Sequence, residues 1–205
     1  MAKPEKKASV RRYRRLYIIG VEGQTEEAYF RRFMNQRASV KVIPKKGRSS
    51  NPLSVLNTVE EKLIEQKRLG QLKPGDQAWV VIDRDQWESE HLNQLFTWAN
   101  ERKDRGVGLS SPNFEYWVLL HADDCRTVKD KNTLDAALKR VLPGYQKNNA
   151  NTIPITPDSL REATSRARRN LTDMPNSLEQ AEEGRSAFTT VHFLVDNLLR
   201  DLTRD

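Results

Sequence analysis

Four short apolar runs constrain this chain more than any other feature: LYIIGVE (16–22), ASVKVIP (38–44), QAWVVID (77–83) and GVGLSS (106–111). Each reads as a strand, and QAWVVID is the cleanest, being β-branched and apolar. Between them lie stretches of helical periodicity. The first runs from Thr25, a plausible N-cap, to about Gln36. The second covers Pro52–Arg68 and is introduced by Ser-Ser-Asn, and the third is ESEHLNQLFTWANERK (88–103). Strands alternating with helices predict a parallel sheet with helices packed on it. The second half changes character. PNFEYWVLLHA, NTLDAALKRVL, PDSLREATSRARRNL and TTVHFLVDNLLRDL all read as helices, and the polar, proline-punctuated LPGYQKNNANTIPITP reads as a loop. The expected fold is therefore α/β: about four mainly parallel strands flanked by helices, with a helical C-terminal extension.

A chain of 205 residues can bury one core. The expected organisation is a basic arm over residues 1–14 and one domain over 15–205, divided into an α/β core (15–111) and a helical extension (112–205). No apolar run approaches the roughly 20 residues of a membrane span. MAKPEKKASVRRYRRLY is basic without an apolar segment, so no secretory signal is expected there. The one cysteine, Cys125, excludes an internal disulfide framework and a cysteine-based zinc site, and fits a reducing cytoplasm. Net charge is +7, with Lys and Arg gathered over residues 3–15 and 161–169. Such clustering is the footprint of a polyanion binder, although solvated surface charge explains it equally well.

Against that basic background, acids collect at strand ends. In open α/β sheets ligands bind outside the carboxyl ends of the strands. Glu22 stands there on the first strand, and Asp83 and Asp85 stand there on the third. Period-2 alternation points Asp83 and Asp85 to one side and Arg84 to the other. A carboxylate pair on one strand end with another acid beside it is an oxygen-rich site suited to Mg²⁺ or Mn²⁺. In the following helix Glu26 shares the inner face of Tyr29, Phe30, Phe33 and Met34, whereas Glu27 aligns with Arg31 toward solvent. A capping or ion-pairing role is the simpler reading of each acid taken singly.

Further on, Ser111-Pro112 reads as a cap followed by proline at the first helical position. The helix after it is apolar on nearly every face, so Glu115 needs a partner, a metal or a place at the rim. Asn113 either orients substrate or extends the cap, and His121 is a proton donor, a phosphate contact or a dipole partner at the helix end. Lys45, Lys46 and Arg48, around Gly47 in PKKGRSS, leave the same rim as the acids and read either as a phosphate clamp or as an ordinary basic loop. Trp79 and Trp117 belong to the core, and Trp87, just past the D-x-D, is the tryptophan nearest the acids. Arg166, Arg168 and Arg169 read as a solvated helix face or a sequence-independent phosphate contact.

VEGQTEEAYF together with VIDRDQW resembles the Toprim catalytic core, in which a strand-end Glu and a D-x-D pair bind divalent metal. SSPNFEYWVLLH and SAFTTVHFLVDNLL resemble the corresponding segments of RloB-like proteins, small Toprim-type proteins often associated with an ATPase in bacterial antiviral or abortive-infection systems. Ala187 and Phe188 depart from the expected pattern in the last segment. The resemblance covers about residues 15–202. It implies that Glu22, Asp83 and Asp85 hold metal, with Glu26 as the second acid of the E-G-x-T-E signature. It also implies a metal-dependent nuclease acting on DNA or RNA, tRNA included, with a partner ATPase. The chain itself carries no G-x-x-x-x-G-K-[ST] phosphate loop. The alternative is a non-catalytic nucleic-acid-binding or regulatory subunit of a defence complex. A homo-oligomer is left open.

Overall fold

The computed structural model describes residues 14–34, 39–44, 51–84 and 87–203. The first half alternates as expected: β1 (Leu16–Val21), α1 (Gln24–Arg31), β2 (Ser39–Pro44), α2 (Pro52–Arg68), β3 (Gln77–Asp83), α3 (Ser89–Asn100) and β4 (Arg105–Ser111). Then follow α4 (Glu115–Leu120), α5 (Lys131–Val141), α6 (Pro157–Asn170), α7 (Leu178–Glu182), β5 (Phe188–Thr189) and α8 (Val191–Thr203), with a 3-10 turn at Ala150–Thr152. The sheet runs in the order β2-β1-β3-β4-β5. β1 to β4 are mutually parallel and the two-residue β5 is antiparallel to the end of β4. Among the described residues no helix is long and apolar enough to cross a membrane.

Side-chain alternation divides the core between the two faces of the sheet. Tyr17, Ile19, Val21, Trp79 and Val81 point to one face, where they meet α1, α4, α5, α6 and α8. Ile18, Val80, Ile82, Val107 and Leu109 point to the other, against α2, α3 and α7. Burial on both faces explains why β1 and β3 read as nearly continuous apolar runs. The helical second half thus supplies most of one layer of a three-layer α/β/α arrangement. α8 is tied back to β1 at the amino end of the sheet, where Tyr17 Oη donates to Asp201 at 2.6 Å and Arg15 pairs with Asp201 at 3.1 Å.

Several local expectations change. α1 is capped by the Gly23 backbone, not by Thr25, whose hydroxyl instead meets Asn148. The helix ends at Arg31, so Met34 of the expected apolar stripe is exposed, while Tyr29, Phe30 and Phe33 are buried. Ser111 closes β4 and joins Pro112 by a cis peptide bond, and α4 begins only at Glu115. A partner from another strand takes over the capping there: the Phe114 N–H donates to Asp83 Oδ1 at 2.7 Å. α7 and β5 are additions too short for periodicity to reveal.

β4 packs against its neighbours through glycine. A Cβ on Gly106 would lie 2.4 Å from Cζ3 of the Trp79 indole. Gly106→Ala should therefore lower stability by about 1–3 kcal/mol, because the ring or the strand must move. Gly144→Ala, with nothing within 4 Å of the added carbon, should change it by less than about 0.5 kcal/mol. Urea denaturation midpoints of the two variants check the contrast.

Candidate metal centre

β1 lies between β2 and β3, so the connections leaving β1 and β3 diverge at their carboxyl ends and open a crevice there. Glu22 is the first residue past β1. Its N–H still donates to Val81 O of β3 at 3.2 Å, which carries the strand pairing one residue further. Its Oε2 accepts from Trp87 Nε1 at 3.3 Å and lies 3.5 Å from the Asp83 N–H. Asp83, the last residue of β3, stands beside it with Oδ1 turned to the start of α4.

The first turns of α1 and α4 add one acid each. Glu26 is buried and folds back over Gly23, with Oε2 2.6 Å from where a Cβ of residue 23 would lie. That position therefore admits glycine alone without displacing the carboxylate. Glu27, one residue on, pairs with Arg31 at 2.6 Å on the outside of the helix, so α1 sends one glutamate inward and the other outward. Glu115 is buried in α4 and accepts from Tyr145 Oη at 3.2 Å, with Lys147 Nζ at 3.3 Å. The α1 and α4 amino ends favour these acids through their backbone dipoles.

Glu22 and Glu115 lie close enough to act on both Glu26 and Asp83. Burial raises Asp83 well above the usual carboxylate range, and Glu26, Glu115 and Glu22 raise it further against the opposing Phe114 N–H. Burial likewise lifts Glu26 to about 7, its own backbone amide opposes, and Glu115 and Glu22 add to the rise. Lys147 partly relieves Glu26. Burial alone would lower the Lys147 ammonium, but Glu115, Asp83 and Glu26 outweigh it and the net shift is upward. The protein therefore concentrates negative charge here beyond what its own groups neutralise comfortably.

Carboxylate oxygens are the donors Mg²⁺ and Mn²⁺ prefer, and the donor set fits such an ion. Ligand distances are not closed, however. Among the described residues no three His, Cys, Asp or Glu side chains are grouped tightly enough to hold a metal as they stand. Asp83, Glu22 and Glu115 each spend an oxygen on a protein donor, namely the Phe114 N–H, the Trp87 indole and Tyr145 with Lys147. Asp85 lies outside the described residues, as do Lys45, Lys46 and Arg48.

Asn113 directly precedes the Phe114–Asp83 contact, and its buried Oδ1 has no hydrogen-bond partner among the described residues. Buried acceptors of this kind are normally satisfied, so it marks a place where a ligand or water can be received. His121 is engaged elsewhere. It bridges Tyr29 Oη at 3.1 Å and Ser159 Oγ at 3.3 Å, and burial, with Arg166 nearby, lowers its pKa to about 4. It is thus a neutral link between α1, α4 and α6. Arg166 donates to Leu120 O and Arg168 pairs with Asp196, which places both in packing contacts.

Sequence reasoning passed over Tyr145 and Lys147, which sit in the segment read as a plain loop. The available signal was indirect: a glutamate inside an apolar helix requires a donor, and that loop carries Tyr-x-Lys.

The Glu26 shift has a consequence for stability. Between the ordinary value of 4.5 and about 7 the folded chain holds a proton on Glu26 that the unfolded chain has released. Its contribution is full below the lower value and lost as pH rises through the upper one. Buried His121 and His192, lowered to about 4, act in the opposite sense, so the comparison must be with a variant that keeps both. In EDTA, Glu26→Gln should gain stability over wild type by about 2–3 kcal/mol as pH goes from about 5 to about 8. A difference independent of pH, measured by urea unfolding, would contradict the buried charge cluster.

The RloB-like protein family model matches residues 17–198. No curated protein and no solved structure matches the chain. The match takes in the sheet from Tyr17 onward, both helices that carry inward glutamates and the loop bearing Lys147, and on that extent the chain belongs to the RloB-like family.

Proposed function

We propose that this protein is a divalent-metal-dependent nuclease, cleaving phosphodiester bonds in DNA or RNA, with tRNA among the RNA substrates. The observation that carries the reading is the convergence of Glu22, Glu26, Asp83 and Glu115 on one crevice at the carboxyl ends of β1 and β3, where Glu22 and Glu115 add to the raised proton affinity of Glu26 and Asp83. Buried acids that oppose one another destabilise a fold, and such arrangements concentrate at functional sites. Glu22 and Asp83, with Asp85 two residues on in the sequence, would hold Mg²⁺ or Mn²⁺. Glu26 and Glu115 would complete or orient that set. When bound, such an ion supplies neutralisation of phosphate charge and a more acidic coordinated water. In the metal-free chain burial and the neighbouring acids raise Glu26 to about 7, and a bound divalent ion would favour its ionised form as an oxygen donor. The net charge of +7 draws a polyanionic substrate toward the acids, and Lys45, Lys46 and Arg48 are the residues assigned to its phosphates. The resemblance adds the setting, an effector of a bacterial antiviral or abortive-infection system working with a partner ATPase, and the single cysteine fits a reducing cytoplasm.

One observation favours a second reading, that of a non-catalytic nucleic-acid-binding or regulatory subunit. Glu22, Asp83 and Glu115 have protein donors from other residues, and one of those donors is a lysine. Expression of wild type and Asp83→Ala in bacteria, with total RNA and DNA displayed from both, separates the two. A nuclease should give degradation or discrete fragments with wild type alone, and the variant should lose at least about 100-fold in cleavage. Equal toxicity in both strains with intact nucleic acid would sink the catalytic reading and leave the binding one.

A further inference from the structure

Lys147 comes to the acids from the loop between α5 and α6, and its backbone is held on both sides. Tyr145 Oη donates to Glu115 Oε1 at 3.2 Å. On the other side, Thr25 Oγ1 donates to Asn148 Oδ1 at 2.9 Å and accepts from the Asn148 N–H at 3.2 Å. Asn148 adopts a left-handed conformation, φ +66°, which asparagine tolerates better than most residues and which turns the chain at this point. The loop is thus fastened to α4 and to the first turn of α1, the two helices that present Glu115 and Glu26.

The tip of the side chain is held differently. The Lys147 side chain is 66% exposed, whereas Glu115 beneath it is 7% exposed. A structural ion pair meant to be permanent is better served by the planar fork of arginine, which can grip a carboxylate with two bonds. A lysine ammonium is a single charge on a flexible stem, and its 3.3 Å contact with Glu115 can be broken into solvent. Its field also reaches Asp83 and Glu26. An anchored base, a mobile tip and a set of acids in want of positive charge make a displaceable counter-ion.

We propose that Lys147 is the built-in competitor of the divalent ion: it balances Glu115, and through it Asp83 and Glu26, while no metal is held, and it must leave Glu115 when the carboxylates take one. This rests on the metal-binding part of the proposed function. It makes Lys147 a positioning residue that sets metal affinity, with the Tyr145–Asn148 loop as its mount.

Calorimetric titration of the full chain with Mn²⁺ tests it, using wild type, Lys147→Met and Lys147→Arg. Methionine keeps the stem and removes the charge, and the exposure of this side chain leaves the fold intact. Lys147→Met should bind Mn²⁺ about three- to tenfold more tightly than wild type. Lys147→Arg should bind Mn²⁺ no more tightly than wild type, since it returns the competing charge and can grip Glu115 with two bonds. Binding by Lys147→Met alone, with none detected in wild type, would support the proposal in its strongest form. Equal or weaker binding by Lys147→Met, with wild type binding, would overturn this inference and leave the metal site standing. Failure of all three proteins to bind would overturn both.

Discussion

The parallel pairing of β1 with β3 is the constraint from which the rest of the candidate centre follows. It continues past the end of β1, where the Glu22 N–H still finds Val81 O. That extra bond sets Glu22 beside Asp83, two acids from strands separated by a whole β-α unit. With β2 on one side of β1 and β3 on the other, the connecting chains part above them, and the gap is filled by the first turns of α1 and α4. Both turns bring a glutamate. The sheet order therefore does more than support the site, since it determines which carboxylates meet.

Charge balance explains much of the surrounding detail. Four acids gathered in partly or fully buried positions oppose one another, and the chain answers with what it has nearby: the Phe114 amide on Asp83, the Trp87 indole on Glu22, and Tyr145 with Lys147 on Glu115. Gly23 is glycine because the Glu26 carboxylate occupies the space a side chain would need. These contacts moderate the repulsion, while burial first and the neighbouring acids second keep Asp83 and Glu26 above the usual carboxylate range. A chain with net charge +7 thus gathers acids at the carboxyl end of its sheet.

The legible parts of the sequence were those in which local and global signals agree. α2 and β3 fall on the expected Pro52–Arg68 and Gln77–Asp83, because Asn51 caps an amphipathic run and β3 is apolar on both faces. Glu26 inward and Glu27 outward could be read from the spacing to Phe30 and Arg31. The mismatches arise where tertiary contacts decide. Asp83, not Ser111, serves the start of α4, and no local pattern announces a cap supplied by another strand. Thr25 has the composition of an N-cap, but its hydroxyl is claimed by Asn148, which is distant in sequence and adjacent in space. Lys147 was hidden for the same reason, lying in a loop whose composition says only that it is a loop. α7, five residues long, and the two-residue β5 are too brief to show a period.

Anomalous diffraction from crystals of the wild-type chain soaked in Mn²⁺ tests the central claim most directly, since it locates the ion without reference to activity. The account predicts a peak at ligand distance from the carboxylates of Glu22 and Asp83, with Glu115 no longer touching Lys147. Saturating Mn²⁺ that left these acids on their protein donors, with no peak in the crevice, would contradict it.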